Sequence, residues 1–184
     1  LSDQSTCRIL QPDGQLIAEL PVEGWTSMQT ALAFGDAGGN RLIACGASRG
    51  ANLHLFRLDE AGADGQGAGG YRWERQWMQR LGGSVTGIYI AGARERVFVG
   101  TSQGFMLCYD LDGHLIWHRL LEQGVAHVTP LGAGMVVVDA LGGLRQVNLD
   151  GIIEEMNPLP TTCSFTVGLG SDVLLASGPE VFRI

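Results

Sequence analysis

The chain has 184 residues, 45% of them apolar, and a formal net charge of -7. The apolar fraction is too high for a disordered chain, and the length suffices for one domain with a buried core. An acidic chain without a stripe of Lys and Arg is a poor match to proteins that bind nucleic acid or anionic membranes. The sequence has no run of 18 consecutive apolar residues, so no transmembrane helix is predicted.

The first 22 residues predict two strands joined by a turn. LSDQSTCRILQPDG, residues 1–14, aligns without gaps with GTSQGFMLCYDLDG, residues 100–113, at a shift of 99 residues. The run QLIAEL follows the turn as a second strand. Because the match begins inside a repeat, we expect residues 1–22 to form a partial unit of a longer array.

Three longer units follow, over residues 23–81, 82–121 and 122–160, and a partial unit covers residues 161–184. The units share an apolar run, a small-residue turn, an alternating run and a turn at Asp, as in VFVGTSQGFMLCYDLDG and MVVVDALGGLRQVNLDG. Asp112 and Asp150 lie 38 residues apart, whereas the equivalent Leu42 and Val97 lie 55 apart. The excess falls in EAGADGQGAGG, residues 60–70, whose glycine-rich composition predicts a flexible surface loop.

One unit divides into four short strands. From Val85 they are VTGIYIAG, RVFVGTSQ, FMLCYDLD and HLIWHRLL, each bounded by Gly, Asp or charged residues. No stretch sustains the 3.6-residue period of a helix. Four strands in about 40 residues, repeated along the chain, are typical of a β-propeller. The sequence therefore predicts an all-β fold, a propeller of about four four-stranded antiparallel blades.

The unit VTGIYIAGARERVFVGTSQGFMLCYDLDGHLIWHRLL resembles a blade of the WD40-like and quinoprotein-like propeller superfamilies. The stretch DLDGHLIW, with Trp117 after the turn, is most similar to the quinoprotein-like type. The Gly-His and Trp-Asp pairs of strict WD40 repeats are absent, and the tryptophan motifs of quinone-dependent dehydrogenases do not recur in every blade. The resemblance therefore implies the propeller fold, and no cofactor is predicted.

The strand count leaves two arrangements open. With the strands of a blade labelled A to D from the inside outwards, the chain supplies C–D, then A–B–C–D three times, then A–B–C. This order favours an incomplete portion of a larger propeller. The alternative is a closed ring of four blades, in which QLIAEL supplies the missing D strand.

Two segments match G-x-S-x-G, the pattern around the nucleophilic serine of many esterases. They are GASRG, which contains Ser48, and GTSQG, which contains Ser102. A nucleophile elbow leads from a strand into a helix, whereas both segments lead into alternating strands. Because the two serines occupy the same repeat position, we interpret both as hairpin-turn residues.

The histidines and acids predict no metal site. His114 and His118 are four residues apart, but on a strand their side chains do not converge as they would on a helix. GDAGGN, residues 35–40, offers only Asp36 and Asn40 of the several oxygen ligands that calcium requires. The four cysteines have no metal-ligand spacing, so we interpret them as buried thiols, with disulfides between distant strands as the alternative. Buried thiols favour a reducing, cytoplasmic location.

The aromatic stretch YRWERQW is the candidate partner-binding site. Strand alternation predicts that Trp73 and Trp77 lie on one face, either packed between blades or exposed to a partner together with Tyr71 and Arg75. Where strand A of each blade begins, the sequence has SVTG, GVAH and TTCS, mostly small and neutral residues.

These patterns favour a non-catalytic scaffold over an enzyme. The scaffold would bind protein, with the rest of the same propeller among the candidate partners. The alternative is a fragment of a quinoprotein-like propeller enzyme with a cofactor or substrate site at the central axis.

Overall fold

The computed structural model describes residues 4–10, 12–23, 30–47, 51–60, 71–159, 162–169 and 171–184. These residues form seventeen strands in five antiparallel sheets. The strands of the first two sheets are β1 (Gln4–Leu10) and β2 (Leu16–Glu23), then β3 (Thr30–Ala37), β4 (Asn40–Ala47), β5 (Asn52–Glu60) and β6 (Tyr71–Arg80). Ser48 and the predicted loop, apart from Glu60 at the end of β5, lie outside the described residues.

The remaining three sheets continue in chain order. Their strands are β7 (Val85–Ala91), β8 (Arg96–Thr101), β9 (Phe105–Asp110) and β10 (Leu115–Leu120); β11 (Val125–Leu131), β12 (Gly134–Asp139), β13 (Leu144–Asn148) and β14 (Ile153–Glu155); and β15 (Cys163–Leu169), β16 (Asp172–Ser177) and β17 (Glu180–Arg183). Within each sheet the strands pair in sequence order. The predicted all-β organisation in four-stranded antiparallel units is confirmed.

The sheets stack against one another through their first strands. β3 packs on β7, β7 on β11, and β11 on β15, so these strands line the inside of the array. Three of them carry a β-bulge at the same position, at Thr86, Ala126 and Ser164. The Thr86 hydroxyl donates to the carbonyl oxygen of Gly100 (3.2 Å) and the Ser164 hydroxyl to that of Ala176 (3.2 Å), which fixes the bulge.

The core lies between the sheets. Successive side chains of a strand point to opposite faces of its sheet. Each sheet therefore has a forward apolar face, towards the sheet that follows in the chain, and a backward apolar face, towards the sheet that precedes it. Each pair of neighbouring sheets buries one cluster of aliphatic and aromatic side chains. The largest fully buried side chains in these clusters include Phe56, Phe98 and Met106. A single sheet could not bury these residues, so the sheets must stack in order to be stable.

The first and last sheets of the described array are incomplete. β1 pairs only with β2 among the described strands, and β17 pairs only with β16. A four-bladed ring closed by β2 would require β2 to pair with β17, and the described strands have no such pairing. The open sheets therefore indicate a partial propeller. No helix among the described residues is long and apolar enough to cross a membrane.

Candidate protein-binding surfaces

Trp77 connects the outer strand β6 to the next sheet. Its indole Nε1 donates a hydrogen bond to the carbonyl oxygen of Leu111 (2.8 Å), and its ring lies 5.7 Å from the ring of Tyr109. Gly113 adopts a φ of +87°, and a Cβ at this position would lie 2.9 Å from the Trp77 ring. The DLDG turn therefore requires glycine at position 113 for two reasons, the positive φ of the backbone and the close approach of the indole ring.

Trp117 repeats this contact one sheet further along. Its Nε1 donates to the carbonyl oxygen of Leu149 (3.0 Å), and its ring lies against Gly151, whose φ is +79°. The guanidinium of Arg119 lies 5.6 Å above the ring and donates to the carbonyl oxygen of Gly151 (3.0 Å). Because the two tryptophans make the same contact in successive sheets, they serve inter-blade packing.

The prediction that Trp73 and Trp77 share a face is wrong. Trp73 packs on the backward face of its sheet, in the cluster that contains Leu20 and Phe56, whereas Trp77 packs on the forward face. A β-bulge in β6 causes the difference: Trp77 pairs with Leu55 and Arg75 with Phe56, so one extra residue lies between them. The bulge reverses the alternation on which the prediction relied.

The outer surface of β6 is the exposed part of the predicted site. The Arg75 side chain is exposed, as is Met78, and Glu74 accepts a hydrogen bond from Arg57 (2.9 Å). The Tyr71 side chain lies outside the described residues. The Arg75 side chain is thus exposed, while Trp73 and Trp77 are half-buried in two different clusters.

The last sheet carries an uncovered apolar surface, which we call the open face. It is the forward face of β15–β17, and its members are identified from the strand pairing, because residues paired across neighbouring strands have their side chains on the same face. Its exposed members are Phe165 (47% exposed), Val167 (38%), Leu169 (54%) and Val181 (65%). An ion pair between Arg183 and Asp172 lies at its edge.

The equivalent positions in the two preceding sheets are packed. Tyr89 occupies the place of Val167 in its sheet and packs on the cluster that it shares with the following sheet. Thr129 occupies that place in the next sheet, where it is 5% exposed and its hydroxyl is hydrogen-bonded to Thr166 of the last sheet. Leu131, equivalent to Leu169, packs on the apolar cluster between its own sheet and the last sheet. Only the last described sheet leaves these positions in solvent.

A groove lies between the third and fourth sheets, on the side where strand A turns into strand B. A cavity of about 320 Å³ is lined by Arg94, Arg96, Ala133, Asn148, Leu149 and Asp150. A second cavity of about 210 Å³ adjoins it, because Arg94, Ala133 and Leu149 line both, and it extends inward to Tyr89. The walls from Ala91 to Ala93 and at Gly132 are small residues, which leave the groove open.

Asp139 is the centre of a buried polar network at the end of β12. Its side chain accepts hydrogen bonds from the amides of Leu141 (2.9 Å) and Gly143 (2.8 Å) and from Arg145 Nη1 (2.7 Å), while Arg145 Nε donates to Glu155 (2.8 Å). Burial alone would raise the pKa of Asp139, but the Arg145 and backbone hydrogen bonds outweigh it, so this pKa lies below its usual value. The network joins three strands of one sheet.

Other candidate residues lie in turns or in the core. Ser102 is exposed in the turn between β8 and β9, where a hairpin residue was predicted. Asp110, Asp112 and His114 come within 4.8 Å of one another, but Asp110 already accepts the amide hydrogens of the other two residues and so builds the turn. Burial raises the pKa of the Cys108 thiol to about 12, so it is not a thiolate nucleophile at neutral pH.

Comparison with solved structures establishes the propeller fold. BBS1N, solved in complex with ARL6DN, superposes with a TM-score of 0.68 at 16% identity over 97% of this chain. Sqt1 of Saccharomyces cerevisiae superposes with a TM-score of 0.66 at 15% identity over 89% of this chain. The chain spans 53% of the BBS1N chain and 48% of the Sqt1 chain, about half of each.

A computationally designed protein, Ika4, also matches, with a TM-score of 0.66 at 14% identity, and the match covers 89% of this chain and 94% of Ika4. No protein-family model and no curated protein sequence matches the chain. At these identities the likeness shows the fold alone.

Sequence reasoning missed both the open face and the groove. The alternation in CSFTVGL was a signal for the open face, since it leaves apolar residues at every second position of β15 on the side opposite Thr166. The signal for the groove was the turn GARE, which is longer than the turns at the same place in the neighbouring units.

Proposed function

We propose that the chain is a non-catalytic β-propeller scaffold that binds protein, with the rest of the propeller among its partners. Its buried polar side chains support a structural role. Thr101, Asp139 and Ser177 are buried at the ends of β8, β12 and β16, at intervals of 38 residues. The Thr101 hydroxyl accepts a hydrogen bond from the amide of Phe105 (3.1 Å), so it holds its turn as Asp139 does. A polar residue that recurs at the same place in three successive sheets serves the repeat.

The open face is the observation that carries the proposal. Water-exposed aliphatic and aromatic side chains are unfavourable by about 25 cal/mol per Å² of apolar area, and an apolar patch of this kind marks an interaction surface. The equivalent positions are packed where the third sheet meets the fourth and where the fourth meets the last. These two contacts show how a further sheet would cover the open face. BBS1N was solved in complex with ARL6DN, so a protein with this fold is known in a protein complex.

A further blade fits the open face best. In the two preceding sheets, the forward face is covered by the inner strand of the next sheet, whose side chains include Val128 and Thr166. The edge of β17 would accept a fourth strand, since in each four-stranded sheet strand C is followed by strand D. At the other end, Leu32 and Phe34 of β3 are exposed on the backward face, where strands A and B of a preceding blade would lie.

The test replaces exposed apolar side chains by carboxylates. Phe165→Glu and Val167→Glu should each weaken association with a partner more than tenfold, because a charge would be buried without a partner. Leu141→Glu is the matched control, since Leu141 is 66% exposed in a turn away from this face. The measurement is quantitative mass spectrometry of proteins that co-purify with the tagged protein from its native cells. Equal losses for Leu141→Glu, or no loss for Val167→Glu, would contradict the proposal.

A second proposed contact runs along β6, with Tyr71 at the start of the strand, Arg75 exposed, and Trp73 and Trp77 half-buried on opposite faces beside it. Trp77 also holds two sheets together, so its replacement would disturb folding and binding at once. Arg75→Ala is the cleaner variant, because this side chain is exposed. In the same co-purification assay, a partner that is lost with Arg75→Ala and retained with Val167→Glu would be assigned to β6. A partner set unchanged by Arg75→Ala would remove β6 from the interaction surface.

A further inference from the structure

The groove is bordered by a turn that departs from the repeat. The turn between β7 and β8 has four residues, 92–95, whereas those between β3 and β4 and between β11 and β12 have two, Gly38–Gly39 and Gly132–Ala133. The longer turn forms a short 3₁₀ turn, Gly92–Arg94, and places Arg94 over the groove. Packing of the repeat does not require the additional residues, since neighbouring sheets turn without them.

The longer turn also has an unfavourable backbone. Glu95 has a φ of +53° and a ψ of +47°, a left-handed backbone conformation that residues other than glycine rarely adopt. Its amide donates to the carbonyl oxygen of Gly92 (3.1 Å), which closes the turn. The equivalent turn in the first four-stranded sheet has glycine at both positions with positive φ, Gly38 and Gly39. Backbone strain that the repeat does not need is found most often at functional positions.

Two arginines give the groove a local positive charge on an acidic protein. Among the described residues, neither Arg94 nor Arg96 forms an ion pair, and Arg96 donates to the backbone oxygen of Glu95 (3.1 Å). Asp150 lines the same cavity but lies beyond ion-pair distance of both guanidinium groups. Leu149 supplies an apolar surface beside the arginines, and Ala133 and Gly132 leave room above it.

This combination matches a carboxylate next to an apolar group. A guanidinium binds the two oxygens of a carboxylate with parallel hydrogen bonds. A polyanion such as a nucleic acid is disfavoured, since Asp150 lies in the groove and the whole chain carries a net charge of -7. We propose that the groove binds an acidic peptide segment, with a Glu or Asp side chain held by Arg94 and Arg96 and a neighbouring apolar side chain on Leu149. This site is separate from the open face, so its test does not depend on the function proposed above.

The probe is a fluorescein-labelled peptide, Gly-Ser-Leu-Glu-Glu-Leu-Ser-Gly, and its counterpart with Gln in place of Glu. Fluorescence anisotropy should show saturable binding of the acidic peptide, at least tenfold tighter than that of the Gln peptide. Binding should weaken as salt rises from 50 to 500 mM, since the arginines are solvent-accessible. Absence of saturable binding at millimolar protein, equal binding of the two peptides, or tighter binding of a phosphoserine version would each overturn the proposal.

Variants of the two arginines locate the site. Arg94→Gln combined with Arg96→Gln should weaken binding at least tenfold, whereas Arg41→Gln should not. Arg41 is the control, because it lies near the start of strand B in the preceding sheet, as Arg96 does in its own sheet, and it does not line the groove. Arg94→Glu should reverse the preference towards a Lys-Lys peptide. Val167→Glu, on the open face, should leave peptide binding unchanged. An equal effect of Arg41→Gln, or unchanged binding in the double variant with native thermal unfolding, would refute the assignment.

Discussion

Replacement of Trp117 tests the packing between sheets at a single side chain. Trp117→Phe keeps an aromatic ring in place and removes the indole Nε1–H, which donates to the carbonyl oxygen of Leu149 (3.0 Å). Trp117→Ala removes the ring as well, together with its contacts to Phe98 (ring centroids 5.8 Å apart) and Gly151. The two variants therefore separate the hydrogen bond from the apolar contact.

The magnitudes follow from these contacts. The lost hydrogen bond costs about 1 kcal/mol. The weaker interaction with Arg119 adds roughly 0.5 kcal/mol, and the smaller ring about 0.5 to 1 kcal/mol. Trp117→Phe should thus lower the free energy of unfolding by about 2 kcal/mol. Trp117→Ala should lower it by about 3 kcal/mol, the lower end of the range for buried aromatic residues, because the indole is only half-buried.

The assay is thermal and urea unfolding followed by circular dichroism. For a chain of this length, 2 kcal/mol corresponds to a decrease in Tm of about 4 to 8 °C. Ile116→Ala is the matched control, since Ile116 is the neighbouring residue at the β-bulge and is 43% exposed; its expected cost is about 0.5 kcal/mol or less. If Trp117→Phe cost no more than Ile116→Ala, the indole would not hold the two sheets together and the reasoning would fail.

Three further variants extend the account. Asp139→Asn should lower stability at pH 7 by about 2 kcal/mol, since it weakens a charge-assisted hydrogen bond to Arg145. The pKa of Asp139 is lowered in the folded state, so its contribution to stability is present above the unfolded pKa of about 3.9 and is lost as pH falls through the folded pKa. Below about pH 5 the Asp139→Asn variant should therefore lose stability less steeply than the wild type. Acid unfolding curves of equal slope for the two proteins, followed by circular dichroism, would contradict this. Gly113→Ala should destabilise by at least about 1 kcal/mol, as its φ is positive and its Cβ would meet Trp77, and an unchanged Tm would refute that. Glu95→Gly should raise the free energy of unfolding by about 1 kcal/mol or less, and a measurable loss would show that the turn is not strained.

Much of the fold follows from local patterns in the sequence. The alternation of VTGIYIAG and FMLCYDLD specifies strands, and the recurring Asp-Gly turn at Asp112 and Asp150 specifies their period. Strand alternation and an Asp-Gly turn are each defined by a few consecutive residues, so both can be recognised without knowing which segments are neighbours in the fold. The stacking order follows as well, because a four-stranded unit with two apolar faces can bury them only against another unit.

The site depends on features that local patterns do not contain. Strand alternation predicted one face for Trp73 and Trp77, but a bulge at Gln76 reversed it, and the pairing of β5 with β6 determines where the bulge forms. The alternation in CSFTVGL indicates an apolar face on β15, as the same alternation does in the packed sheets, but only the position of this sheet at the end of the described array leaves that face uncovered. The groove requires Arg94 and Asp150, 56 residues apart in sequence and in turns of two different sheets, to line one cavity.

Site-specific photo-crosslinking from the open face tests the central claim most directly. A photoreactive amino acid at position 167, in the full protein in its native cells, should crosslink to a peptide that mass spectrometry assigns to the inner strand of a propeller blade. The same amino acid at position 141, where the native side chain is more exposed than that of Val167, should not give this product. Crosslinks from position 167 to a segment other than a propeller strand, or the same product from both positions, would contradict a scaffold whose last described sheet is covered by another blade.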